Sequence, residues 1–153
     1  MKLLILGNGT SRLNYKEFIK NWEYEIWCCN YAFTEYFNFP KLNLIGTVHF
    51  KCYKDAIKFK EEKNLNYIEI VYLNTSKNYL GYSTGNELIN EAIIRGYNEI
   101  YLLGYDSINN SNKDIYTIPY PYIGNFKNQL KILLNKYNYL KLNEFNKDIF
   151  IIK

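Results

Sequence analysis

The apolar positions of this chain fall in short uninterrupted runs separated by glycine, asparagine and serine. Leu3-Leu4-Ile5-Leu6 stops at Gly7-Asn8-Gly9-Thr10-Ser11, and a run of that length bounded by glycines reads as a buried parallel strand entering a tight loop. Asn14 to Asn21 reads as a short helix with Tyr15, Phe18 and Ile19 on one side, followed by a strand from Tyr24 to Cys29 that Asn30 closes. A third strand is expected over Leu44 to Phe50, a lysine-rich helix over Tyr53 to Lys63 and a fourth strand over Tyr67 to Tyr72. Thr84 is positioned to cap a helix carrying Leu88, Ile89, Ala92 and Ile93 on one face, with Glu87 as its capping-box partner and Gly96 as its end. Ile100 to Leu103 is another buried strand, stopped by Gly104 and followed by Asp106. The asparagine, serine, tyrosine and proline residues of 106–125 read as a long lid or binding loop. Phe126 to Tyr137 then reads as a last helix and Asp148 to Ile152 as a last strand, whose place in the sheet the pattern does not assign. Alternating strands and helices predict an α/β fold: one Rossmann-like domain with a mostly parallel sheet flanked by helices.

Composition narrows the class. A chain of 153 residues fits one domain, and 48% hydrophobic with 22% charged residues is globular rather than disordered. No apolar run is long enough to span a bilayer, and the opening strand is interrupted before a signal-peptide core could form, so a soluble, cytoplasmic protein is expected. Lysine outnumbers arginine 17 to 2 and tyrosine reaches 17, a bias that suits an AT-rich genome. The net charge of +4 concentrates in the lysines from Lys127 to Lys153; without an arginine-rich stripe it reads as a solvated face, and no nucleic-acid partner is expected. The abundant tyrosine would suit a surface for homo-oligomer formation. Cys28, Cys29 and Cys52 match neither a disulfide framework nor a zinc pattern and read as buried thiols.

In an open parallel sheet, ligands sit at the carboxyl ends of the strands, where loops and helix N-termini converge. Four segments share that rim. Gly7, Asn8, Gly9, Thr10 and Ser11 offer close backbone approach, an amide and two hydroxyls; Asn30 follows the second strand; Ser83, Thr84 and Gly85 open a helix; Asp106 follows the later strand. Such a crevice suits a nucleotide. Neither the GxGxxG dinucleotide fingerprint nor the GxxxxGK[ST] phosphate loop is present, so NAD chemistry and ATP hydrolysis have no motif here. His49, the one histidine, lies near the end of the third strand, where a packed core role is the plainer reading, and a multi-histidine metal site is impossible. Asp106 could meet a metal or a ribose, or cap a turn.

These blocks resemble the bacterial lipooligosaccharide sialyltransferases, a family using CMP-sialic acid on a Rossmann-like fold without a metal. Leu4 to Ser11 looks like that family's strand and GNGxS loop, and Cys29-Asn30 looks like its CN pair, whose Asn contacts the nucleotide. Ser83-Thr84-Gly85 is similar to its TSG helix start, and 96–106 to its GYxEIYLxGxD strand. Tyr122 to Asn128 looks like the block leading into its last helix. The matching blocks cover roughly half the chain, and pterin diphosphokinases share the GxxS loop and the G…D strand. The resemblance implies a CMP-sugar ligand and no required cofactor or metal.

Departures from the family bear on turnover. The position of its general-base histidine is Asn125, whose amide takes up no proton at neutral pH, and a tyrosine contacting the leaving phosphate corresponds to Ile108. Tyr116, Tyr120 or Tyr122 could supply that phenol, and His49 is the one histidine left as a base. The stretch from Asn30 to Ser83 is shorter than in the family, which implies a reduced acceptor site. Three readings remain: a compact metal-independent glycosyltransferase; a non-catalytic protein that sequesters a nucleotide, for which a phage-encoded product acting on a signalling nucleotide in the host cytoplasm would suit the size and composition; and, more weakly, a diphosphokinase, which would need acidic metal ligands beyond Asp106.

Overall fold

Leu3 to Leu6 are completely buried, which only a central strand covered on both faces achieves. The computed structural model describes residues 1–73, 83–109, 115 and 123–153, the side chains of 123–125 excepted. Seven strands form one sheet: β1 (Lys2–Leu6), β2 (Glu25–Cys29), β3 (Leu42–Thr47), β4 (Glu69–Tyr72), β5 (Glu99–Leu103), β6 (Leu142–Glu144) and β7 (Ile149–Ile152). Their order is β4-β3-β2-β1-β5-β7-β6, with β4 through β5 parallel. The closing strand runs antiparallel beside β5 and carries β6 on its outer side. This is the α/β, Rossmann-like architecture expected from the sequence, and the last strand now has its place. Four α-helices are described, α1 (Lys16–Lys20), α2 (Phe50–Lys63), α3 (Thr84–Ile94) and α4 (Ile123–Lys136), with 3-10 turns at Thr10–Asn14, Asn30–Asn38 and Asp106–Asn109.

Alternation along the strands sorts the core into two layers. Leu4, Leu6, Ile26, Cys28 and Ile45 face Ile19 of α1, Phe33 and the Cys52 and Ala56 side of α2. Leu3, Ile5, Trp27, Cys29 and Leu44 face Leu88, Ile89, Ala92 and Ile93 of α3 and Leu130 and Leu133 of α4. The adjacent cysteines therefore point into opposite layers; all three thiols are free and buried, and burial pushes the Cys28 thiol far above its ordinary value. Because β2, β3 and β4 build outward on one side of β1 and β5 lies on the other, the chain changes direction between β1 and β5. Strand order therefore puts the topological switch point at β1 and β5, and the carboxyl edge around it is where a sheet of this kind binds ligands.

Several boundaries differ from the sequence reading for identifiable reasons. The expected helix at 14–21 is a 3-10 turn followed by α1, with Tyr15 between them at φ −121°. The third strand ends at Thr47 instead of reaching Phe50, because the Thr47 hydroxyl accepts the His49 amide at 3.1 Å and turns the chain into α2. His49 thus stands at the N-cap of α2 and is exposed, neither in the strand nor packed in the core. Most of the expected loop at 106–125 lies outside the described residues, apart from the turn at 106–109, Ile115, whose amide donates to the Asn8 carbonyl at 2.8 Å, and the start of α4. That helix begins at Ile123, three residues before Phe126. Among the described residues no helix is long and apolar enough to cross a membrane.

The tyrosines fasten the surface. Tyr15 donates to Asp148 at 2.8 Å, Tyr31 to Asp55 at 2.7 Å, Tyr97 to Glu25 at 2.5 Å and Tyr101 to Glu99 at 2.8 Å. Each carboxylate accepts the phenolic hydrogen bond and so favours the protonated phenol. The Asp55 hydrogen bond raises Tyr31 from 10.0 to about 12, and burial followed by the Glu99 bond raises Tyr101 equally. A phenol whose folded pKa is raised contributes stability that is fully present below its unfolded value and lost as pH climbs through the folded one. The urea midpoint is therefore expected to fall between about pH 10 and 12, and a Tyr31→Phe/Tyr101→Phe variant to show a shallower fall; parallel curves would remove these pairs from the pH dependence.

Candidate functional site

The loop after β1 and the loop after β5 are built against each other. The Gly7 amide donates to the Leu103 carbonyl at 2.8 Å and the Gly9 amide to the Gly104 carbonyl at 2.7 Å. A Cβ on Gly7 would lie 2.5 Å from the Gly104 oxygen, and one on Gly104, which sits at φ +79°, would lie 2.5 Å from the Gly7 oxygen. Glycine is needed at both places for the two backbones to touch. The amides of Gly7 and Gly9 are thereby engaged within the sheet, so what these glycines do here is join the loops. Ser11 completes the junction: its amide donates to the Asp106 carboxylate at 2.9 Å and its hydroxyl bonds the other carboxylate oxygen. Asp106 therefore fastens a turn. Thr10 opens that turn and is half-buried.

Arg12, which no motif in the sequence singles out, lies beneath this junction. It is 2% exposed, donates from Nε to the Gly7 carbonyl at 2.9 Å, pairs with Glu35 at 3.2 Å and stands over the Phe39 ring. The signal was present: in a chain that uses lysine almost throughout, an arginine marks a place where a planar, many-armed donor is required. Arg95, the other arginine, behaves likewise, bonding Glu69 through both terminal nitrogens and Glu91 through Nε.

The second half of the rim is centred on Asn30. It holds a left-handed backbone at φ +52°, which asparagine tolerates better than most residues. Its Oδ1 accepts the Thr47 hydroxyl at 2.7 Å and the Thr84 hydroxyl at 3.0 Å, and Thr84 Oγ1 accepts the Val48 amide at 3.2 Å. One amide oxygen thus ties the ends of β2 and β3 to the start of α3. The Nδ2 donors of Asn30 meet no partner among the described residues, leaving them oriented by a fully engaged oxygen. Thr47, buried and invisible to motif reasoning, is part of this network.

Asn8 links the two halves: its Nδ2 donates to the Cys29 carbonyl at 3.0 Å, one residue before Asn30, while its buried Oδ1 meets no partner. A buried amide oxygen left unpaired costs roughly 1–3 kcal/mol, which a ligand donor would recover. The helix start differs from expectation. Ser83, not Thr84, caps α3, its hydroxyl accepting the Asn86 amide at 3.4 Å, because the Thr84 hydroxyl is committed to Asn30 and Val48. Glu87 accordingly falls one position too late for a capping box and is completely buried. Gly85 leaves room for the rings of Tyr105 and Phe126, and its carbonyl accepts the Tyr105 hydroxyl at 3.1 Å. Burial pushes the Tyr105 phenol well up, so it remains a donor.

The four predicted segments are therefore joined by hydrogen bonds into one rim, Ser11 with Asp106 and Asn30 with Thr84. His49 stands beside them, its side chain without a partner among the described residues. Tyr116 lies outside the described residues, as does the side chain of Asn125. No family model matches the chain, and comparisons with curated proteins and with solved structures give no match. At the opposite, amino-terminal edge of the sheet lies an open cleft of about 760 Å³, bordered by Lys2, Tyr24, Asn43 and Tyr67. There Tyr97 bonds Glu25 and Lys2 stands over the Tyr24 ring, while the buried Asn43 Oδ1 meets no partner. Among the described residues no group of three or more His, Cys, Asp or Glu side chains is gathered as metal ligands would be.

Proposed function

We propose that the chain binds a nucleotide or nucleotide sugar in the crevice at the carboxyl edge of β1, β2 and β3. The observation that carries this reading is the pair of asparagines with spare capacity on one rim. Asn30 offers amide donors fixed through Thr47 and Thr84, and Asn8 offers a buried oxygen without a partner. Donors of the first kind suit phosphate or a base carbonyl, and an acceptor of the second kind suits a base amine or a ribose hydroxyl. The first turn of α3 adds backbone amides and the positive end of its dipole. In this reading Gly7, Gly9 and Gly104 shape the crevice wall, while Asn8, Asn30, Thr84 and Gly85 face the ligand. A CMP-sugar is the ligand class that the sialyltransferase resemblance favours.

Binding without turnover is better supported than transfer. Asp106, the carboxylate after β5, is held by Ser11, and asparagine replaces the base expected at position 125. The transferase reading keeps one specific support, the exposed His49 beside Thr47, whose imidazole could take up the acceptor's proton. Thr84→Val tests the site under both readings. The substitution is nearly isosteric, leaves the Asn30 oxygen with the Thr47 hydroxyl alone and frees the Val48 amide, so nucleotide affinity measured by calorimetry is expected to fall about tenfold, the equivalent of about 1.4 kcal/mol. Unchanged affinity would show that the ligand sits elsewhere.

A further inference from the structure

We infer that the aromatic cluster at the head of α2 is a stacking platform for the base of the bound nucleotide; this rests on the nucleotide reading of the rim. Three rings from two elements meet there. Phe50 and Tyr53 come from the first turn of α2 and Tyr72 from the end of β4, with centroids 6.4 Å apart for Phe50 and Tyr53, 5.9 Å for Phe50 and Tyr72 and 5.3 Å for Tyr53 and Tyr72. Burial does not explain the cluster: Phe50 is 59% exposed and Tyr72 44%. Fixed aromatic faces left open to solvent, each braced by the others, are what a planar ligand ring requires.

Position and charge give the ligand its class. Tyr72 is paired in register with Thr47, whose hydroxyl bonds Asn30, so the platform lies one strand further along the same carboxyl rim. Adjacent strands are about 4.8 Å apart, a separation well within the length of one nucleotide. The Lys54 ammonium stands 5.4 Å from the Phe50 centroid, and exposed His49 immediately precedes Phe50. A lysine ammonium beside open rings favours a planar ring carried on an anion over a neutral sugar. The base would lie against Phe50 and Tyr72 while the phosphate reaches toward Asn30 and the start of α3.

The test compares adenosine, guanosine, cytidine and uridine 5′-monophosphates with ribose 5-phosphate, which carries the phosphate without a base. Affinities are measured by calorimetry for the wild type, Phe50→Ala, Phe50→Tyr and Thr84→Val. Phe50→Ala is expected to weaken the tightest mononucleotide about tenfold and leave ribose 5-phosphate unchanged, with Phe50→Tyr near wild type, since stacking accounts for that order of effect per base. Thr84→Val should weaken both classes of probe. A mononucleotide affinity that Thr84→Val reduces and Phe50→Ala does not would overturn the platform and leave the crevice standing. No binding of any mononucleotide would overturn both. Equal losses for ribose 5-phosphate in Phe50→Ala would also overturn base stacking, as would a change of oligomeric state on sizing, which would make the rings a contact between copies. Because Phe50 is largely solvent-exposed, an unchanged melting temperature is expected for its variants.

Discussion

Gly104→Ala is expected to lower the thermal midpoint by about 10 °C, whereas Gly96→Ala lowers it by about 3–6 °C, although both glycines have positive φ. The comparison isolates close approach from backbone conformation. Gly96 sits at φ +92° after α3 with no atom within 4 Å of the position its Cβ would take, so alanine there incurs only the left-handed backbone cost of about 1–2 kcal/mol. Gly104 at φ +79° carries the same cost, and in addition its Cβ would meet the Gly7 carbonyl oxygen at 2.5 Å and carbon at 2.9 Å. Those are backbone atoms held by the Gly7 and Gly9 amides bonding the end of β5, so no side-chain rotation relieves the overlap. The two loops must separate, which also pulls on Arg12 through its bond to the Gly7 carbonyl. A total near 3–5 kcal/mol follows. Equal shifts for the two variants in calorimetry would mean that the loops yield easily and that the switch point is not a rigid wall.

Asn30→Asp is expected to abolish most nucleotide binding, weakening it about a hundredfold, while the melting temperature changes little. Aspartate tolerates the left-handed backbone at φ +52°, and one carboxylate oxygen can still accept the Thr47 and Thr84 hydroxyls. What changes is the other branch: two N–H donors become an anionic acceptor facing the crevice. Against a phosphate-bearing ligand this exchanges attraction for repulsion at the same place. Asn30→Gly serves as the comparison, since it accepts the backbone conformation and removes the amide without adding charge; it should bind more tightly than the aspartate variant and melt lower than both. An aspartate variant that binds nucleotide like the wild type would place the phosphate away from Asn30.

What could be read from the chain followed from how far each signal was local. The buried run at Leu3 to Leu6 and the Gly7 to Ser11 loop required only a strand period and a glycine boundary, and both occur as expected. The antiparallel β6 leaves no pattern in the sequence, because Leu142–Glu144 is three residues long, carries exposed polar side chains and is a strand only through its pairing with β7. The pattern places the cap of α3 at Thr84, one residue late, because the choice between two adjacent hydroxyls depends on Asn30, 54 positions away from Thr84. Likewise His49 left the third strand because of a bond made by Thr47, a residue indistinguishable in sequence from an ordinary strand threonine. The grouping of the rim residues was legible from topology alone, whereas the structural tasks of Gly9 and Asp106 emerge only when the β1 and β5 loops are seen together.

Native mass spectrometry of the wild-type protein with CMP-, UDP- and GDP-sugars and with cyclic and ADP-ribose-type signalling nucleotides tests the nucleotide crevice most directly. The expected result is a one-to-one adduct with one panel member, seen as intact ligand if the rim only binds and as nucleotide with released sugar if it also cleaves. Absence of an adduct with every member, from protein shown to be folded by its thermal transition, would contradict the assignment of the carboxyl-edge crevice as a nucleotide site.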